Sequence, residues 1–119
     1  MAERKREPTI ARIWRGRTIR ERADEYERYL REVGFPPLEE HALGVQMLRE
    51  DRADETEFIA ISWWESVEAM SRFAGDDPRR IHHLPRDEDL LIELPEKVQV
   101  LKIIATAGIA ASSALKSSR

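Results

Sequence analysis

Residues 58–64 read FIAISWW, a run that is apolar on both of the faces a β-strand presents. Side chains alternate along a strand, so Ile59, Ile61 and Trp63 stand on one side and Phe58, Ala60 and Trp64 on the other. Residues 98–103 repeat the pattern, with Val98 and Val100 against Leu101 and Ile103. A sheet built on such strands must find apolar cover for both faces. The run stops at Glu65, and Ser66-Val67-Glu68-Ala69-Met70 opens a helical pattern with Ser66 as its N-cap.

The remaining elements follow from periodicity and punctuation. Thr9 to Arg17 alternates as a first strand, Ile10, Arg12 and Trp14 on one face and Ala11 and Ile13 on the other. Thr18-Ile19-Arg20-Glu21 has the form of a capping box. The helix after it carries Ala23, Tyr26, Leu30 and Val33 in one stripe, with Asp24–Arg28, Glu27–Arg31 and Arg28–Glu32 as solvent-side pairs. Gly34 is placed to end this helix and Pro36-Pro37 to prevent its resumption, leaving residues 38–43 as an irregular connector with room for one helical turn. Residues 44–50 and 56–64 read as strands joined by a polar loop, and 67–74 as a helix stopped by Gly75. Asp77-Pro78 has the N-cap and N1 character of a further short helix carrying His82 and His83. Asp87-Glu88-Asp89 reads as a solvated acidic turn, and 96–104 as a fourth strand. The order β-α-β-β-α-β predicts an α+β, ferredoxin-like domain with a four-stranded antiparallel sheet. Two helices can cover only one face of that sheet. The other is expected to meet a second copy of itself, giving a homodimeric α/β barrel.

Composition narrows the function classes. Of 119 residues 36% are charged, well above the usual ~25%, yet 20 basic and 23 acidic residues nearly cancel to a net −3. No basic stripe is present, which argues against a nucleic-acid reader. Cysteine is absent, which removes disulfides and thiolate chemistry. The charged start has no apolar leader behind it, and the apolar stretch near the C-terminus is too short to span a bilayer. These features predict a cytoplasmic protein with no membrane partner. Residues 9–104 are expected to form the single domain, flanked by flexible tails at 1–8 and 105–119. Motifs for nucleotide binding, zinc hydrolysis and nucleophile elbows are missing, and no metal site is predicted.

The stretch from Trp64-Glu65-Ser66 through Phe73-Ala74-Gly75-Asp76-Asp77-Pro78 to His82-His83-Leu84-Pro85 and Leu90-Leu91 resembles the antibiotic-biosynthesis-monooxygenase-like domains. Residues 10–17, Tyr26, Gly44, Arg49, Asp87 and Leu91 also fit an uncharacterised branch of that family. The resemblance implies a small dimeric barrel that binds a flat aromatic molecule, with cofactor-independent monooxygenation as the implied activity. In the heme-degrading members a W-x-S tryptophan lies over the heme and an axial histidine follows. Trp64 and His83 stand near those positions, so heme binding or degradation through His83 is the alternative. Those enzymes also use a first-strand asparagine, and residues 9–17 contain none. The strand-4 His-Tyr pair of the branch is replaced here by Val100-Leu101. A third reading, of another class, is a non-catalytic binding or structural dimer whose aromatics are core.

Among individual residues, Arg12 alternates with Ile10 and Trp14, so two readings stand. It reaches solvent or an ion pair across the dimer, or it anchors a phenolate or carboxylate. His83 and Arg12 are the candidate catalytic groups. Trp14, Tyr26, Trp64, Phe73 and His82 are the candidate ligand-binding groups. Each histidine also has a plain surface reading, and each tryptophan a plain core reading.

Overall fold

The computed structural model describes residues 7–75, 77, 79 and 83–108. Strand β1 (Ile10–Ile19) leads through a 3-10 turn at Arg20–Arg22 into helix α1 (Ala23–Tyr29). A π-helical turn (Leu30–Gly34) joins α1 directly to α2 (Phe35–His41). Strands β2 (Gly44–Asp51) and β3 (Glu55–Trp64) form a hairpin, α3 (Val67–Ala74) follows, and a short α4 (Asp87–Leu90) precedes β4 (Gln99–Lys102). The sheet is antiparallel throughout with order β2-β3-β1-β4, the ferredoxin-like arrangement predicted from the sequence.

Helix α3 matches its predicted span, and Ser66 Oγ accepts from Ala69 N at 3.0 Å as the predicted N-cap. Other local expectations are corrected. Thr18 does not cap a helix: it lies inside β1, and its buried Oγ1 finds no hydrogen-bond partner among the described residues. Gly34 does not end the helix. Its φ of −83° is helical, and Pro36 and Pro37 occupy the first turn of α2, where no backbone N–H is needed. The wide turn adds a residue to the spiral and rotates the apolar stripe. Ala23, Tyr26 and Leu30 are buried as expected, but Val33 is exposed, and Gly34, Pro37 and Leu38 continue the inward face. Of the three expected helix pairs, Glu27–Arg31 forms at 3.2 Å, whereas Asp24 bonds Arg49 of β2 at 2.9 Å. The fourth strand is shorter than the 96–104 predicted. The short helix expected after Asp77-Pro78, with His82 on it, falls largely outside the described residues, as do most of both tails.

Both helical layers lie on one side of the sheet. Tyr26 and Leu30 pack with Phe58, Leu91 and Trp14, and Met70 and Ala74 of α3 pack with Trp64, Ile10 and Val100. Strand register defines the opposite face. One row sets Ala11 beside Trp63 and Leu101, the next Ile13 beside Ile61, and the third Arg15 beside Ile59, with Leu48 next to it on β2. A charged row of Arg17, Glu57 and Glu50 closes that face. Each side chain in the alternation on β3 is buried on the helix side and half-buried on the other. No helix among the described residues is long and apolar enough to cross a membrane.

Gly16 is held by sterics. A Cβ there would lie 2.5 Å from Trp14 Cη2 and 3.3 Å from Leu91 Cδ2, so the indole lies over the bare backbone. Gly16→Ala should therefore destabilise the fold by about 1–3 kcal/mol through overpacking, read as a lower urea midpoint at unchanged slope.

Candidate functional site

The helical layer does not close completely on the sheet. A cavity of about 320 Å³ remains, walled by Arg12, Trp14 and Ala60 from the strands, Tyr26, Leu30, Gly34, Pro37 and Leu38 from the helical arm, and Met47, Phe73, Leu84 and Asp87. The rotated stripe created by the π turn forms one wall, and the bare Gly34 gives it room. Its nearest would-be Cβ contacts are Leu84 at 3.2 Å and Leu30 at 3.3 Å. The walls are mostly apolar with a few convergent polar groups, the usual form of a small-molecule site.

Arg12 lies on the cavity side of a central strand and is only 9% exposed, which corrects the solvent-edge reading. Burial lowers its guanidinium pKa, but an arginine stays charged at neutral pH. Trp14 stacks on Tyr26 at 6.5 Å between centroids with an interplanar angle of 30°, and Phe58 meets Tyr26 edge-on at 5.2 Å. Tyr26 Oη donates to Asp87 Oδ1 at 2.9 Å, and Leu84 N donates to Asp87 Oδ2 at 3.0 Å. Asp87 is 2% exposed, so it is not part of a solvated turn, although Glu88 and Asp89 beside it are exposed. Burial first and the Asp87 carboxylate second push the Tyr26 phenol far above its usual range.

Asp87, which the sequence places in an acidic turn and outside the candidate site residues, is a buried polar group of this cavity. The signal was its spacing: Asp87, Leu90 and Leu91 stand at i, i+3 and i+4, and all three are buried.

Of the predicted site residues, Arg12, Trp14, Tyr26 and Phe73 line this one cavity. Trp64 does not. It is 1% exposed, its indole N–H donates to Ser62 Oγ at 2.9 Å, and it borders a separate cleft of about 130 Å³ with His41, Leu43 and Arg72. Phe73 borders both spaces, with its ring 5.4 Å from that of Trp64. His83 is exposed and lines neither, and His82 lies outside the described residues. Trp64 and His83, the pair on which a heme would depend, therefore border no common cavity among those that the described residues form. Among the described residues no cluster of three His, Asp or Glu side chains is placed to hold a metal ion.

A larger depression of about 390 Å³ beside β2 is less suited to ligand chemistry. Its charged residues are already engaged, Arg49 with Glu27 at 2.7 Å and Asp51 at 2.8 Å, and Arg31 with Glu27.

The raised Tyr26 pKa has a definite sign. In the folded protein the phenol stays neutral, while in the unfolded chain it ionises above ~10. Its contribution is fully present below that pH and is lost as the pH climbs past it. Thermal melts should therefore show stability falling above pH ~10. Tyr26→Phe should flatten that fall and cost roughly 1.5–3 kcal/mol at neutral pH, because a hydrogen bond to a buried carboxylate is lost.

No family model matches the chain, and no curated protein is a significant match. Solved structures do match. A candidate antibiotic biosynthesis monooxygenase of Bacillus cereus superposes with a TM-score of 0.60 at 13% identity, over 86% of this chain and 99% of that one. PA3566 of Pseudomonas aeruginosa superposes with a TM-score of 0.54 at 20% identity, over 87% and 99%. Near-complete coverage of two chains with so little shared sequence is a likeness of backbone. The chain has the fold of the antibiotic-biosynthesis-monooxygenase-like proteins.

Proposed function

We propose that this protein binds a planar aromatic compound in the cavity between sheet and helices, and that its activity is cofactor-independent monooxygenation of that compound. The observation that carries the reading is the convergence of Arg12, Trp14, Tyr26 and Phe73 on one space of about 320 Å³. Flat aromatic walls suit a flat ligand, and a guanidinium excluded from water suits an oxygen that gains negative charge. The fold shared with the Bacillus cereus protein supports the choice of reaction class. An electron-rich, deprotonated ring can itself reduce dioxygen, so the chain need only hold it, shield it from water and stabilise the anion.

The reading includes a homodimer acting in the cytoplasm. The support for the dimer is the open sheet face, where Ile13, Ile59, Ile61, Trp63, Leu48 and Leu101 form an apolar field no element of the chain covers among the described residues. A second copy of the same field is the cheapest cover.

Hydroxylated aromatics and quinols should quench tryptophan fluorescence through Trp14, and Arg12→Ala should weaken them roughly ten- to hundred-fold by removing a charge-assisted contact. Hemin should bind weakly and independently of His83. A sharp Soret band abolished by His83→Ala would overturn the reading in favour of heme. Light scattering at micromolar concentration should give a dimer, and Ile61→Asp should give a folded monomer, because it places a charge at the centre of the field.

A further inference from the structure

The cavity and the smaller cleft follow one another along the strands. Trp14 of β1 lies opposite Ala60 of β3, and Ile10, at the start of β1, lies opposite Trp64. Ala60 and Trp64 are four residues apart on one strand, about 13 Å. At the Ala60 end the cavity wall is Trp14 stacked on Tyr26. At the Trp64 end stands the ring of Phe73, and beyond that ring lies the cleft of about 130 Å³. Among the described residues, Phe73 is the one side chain that borders both spaces.

Two aromatic rings meet Phe73 on the cleft side, and each is fixed by a hydrogen bond. The Trp64 ring lies 5.4 Å away, with its indole N–H donating to Ser62 Oγ. The His41 ring lies 5.3 Å away, with Nδ1 at 2.8 Å from Pro37 O. A carbonyl oxygen only accepts, so Nδ1 carries the proton. Pro37 itself lines the cavity, so His41 ties the cleft side of Phe73 to the helical arm. The Phe73 backbone is held in the last turn of α3, where Gly75 N donates to Ser71 O at 2.8 Å. The hydrocarbon ring has no such anchor, so packing alone keeps it across the boundary.

We propose that Phe73 sets how long a planar ligand the site accepts: its ring is a wall one side chain thick between cavity and cleft, and His41 is the positioning residue that keeps it there. This rests on the reading of the cavity as the ligand site and adds the determinant of its length selectivity. Each further fused ring adds apolar surface, so in an unobstructed space the longer of two homologues binds more tightly. A wall reverses that order, because a close-packed side chain does not yield the width of a ring without strain. Truncating Phe73 joins the two spaces and restores it.

The test compares 2-naphthol with its three-ring homologue, 2-hydroxyanthracene, by equilibrium dialysis against the full-length protein. The unmodified protein should bind the naphthol roughly ten-fold more tightly, and Phe73→Ala should reverse the order. His41→Ala should move the ratio of affinities the same way by roughly three-fold, because the wall loses one of its two supports. The ratio is the readout because a general loss of packing weakens both probes alike. Phe73→Leu keeps an apolar side chain but not the breadth of the ring, so it should shift the ratio too, and it decides the matter if Phe73→Ala folds poorly. Equal or tighter binding of the longer probe by the unmodified protein, or a ratio that the Phe73 variants leave in place, would overturn the inference while leaving the cavity as the ligand site. A ratio unmoved by His41→Ala overturns the role given to His41. Failure of both probes to bind the unmodified protein would overturn the ligand-site reading and this inference with it.

Discussion

Tyr26 is in contact with nearly everything that defines this domain. Its ring is fully buried between Trp14 and Phe58 of the sheet and Tyr29 of its own helix, and its hydroxyl reaches Asp87, sixty-one residues away. The phenol needs an acceptor because it has left water, and the carboxylate needs donors for the same reason; each is tolerable inside only because of the other. That bond sets α1 against α4 and thereby fixes the depth and polarity of the cavity. Arg86 N donating to Tyr29 Oη at 2.9 Å ties the same two segments a second time.

A rim of exposed ion pairs surrounds this centre. Arg22 and Arg86 bridge Glu25 to Asp89, and hydrogen bonds from the arginines hold both carboxyls below their usual range. Arg52 gathers Glu50, Glu55 and Glu57 at the hairpin end of the sheet. Such pairs are solvated and individually weak. They account for the high charged content without implying a charged partner, since nearly equal numbers of both signs meet across neighbouring strands and turns.

The cavity depends on an irregularity of the backbone. A regular α-helix through residues 23–41 would keep Val33 beside the stripe of Ala23, Tyr26 and Leu30; with the π turn at Leu30–Gly34, Val33 is exposed and Gly34 lines the cavity. Wide turns of this kind are marginal in isolation and persist where packing favours them. Here the favourable packing is that of Leu30, Pro37 and Leu38 around the cavity, with Met47 and Leu84 opposite.

Strand and helix order, the Ser66 cap, the span of α3 and the two-sided apolar character of β3 are determined by the sequence alone, because alternation, capping chemistry and periodicity act within a few residues. The gathering of Arg12, Trp14, Tyr26 and Phe73 was partly legible for the same reason: three of them lie on the inward phase of elements whose phase can be read. What only the tertiary structure decided is whatever depends on distant partners. Thr18-Ile19-Arg20-Glu21 has the letters of a cap, but pairing of Thr18 with Thr56 draws it into the sheet. Gly34 and Pro36-Pro37 have the letters of a stop, but a helix can pass through all three when proline sits where no N–H is required. Asp87 has the letters of a surface turn, and is buried because Tyr26 and the Leu84 amide supply the hydrogen bonds that water would otherwise have to provide.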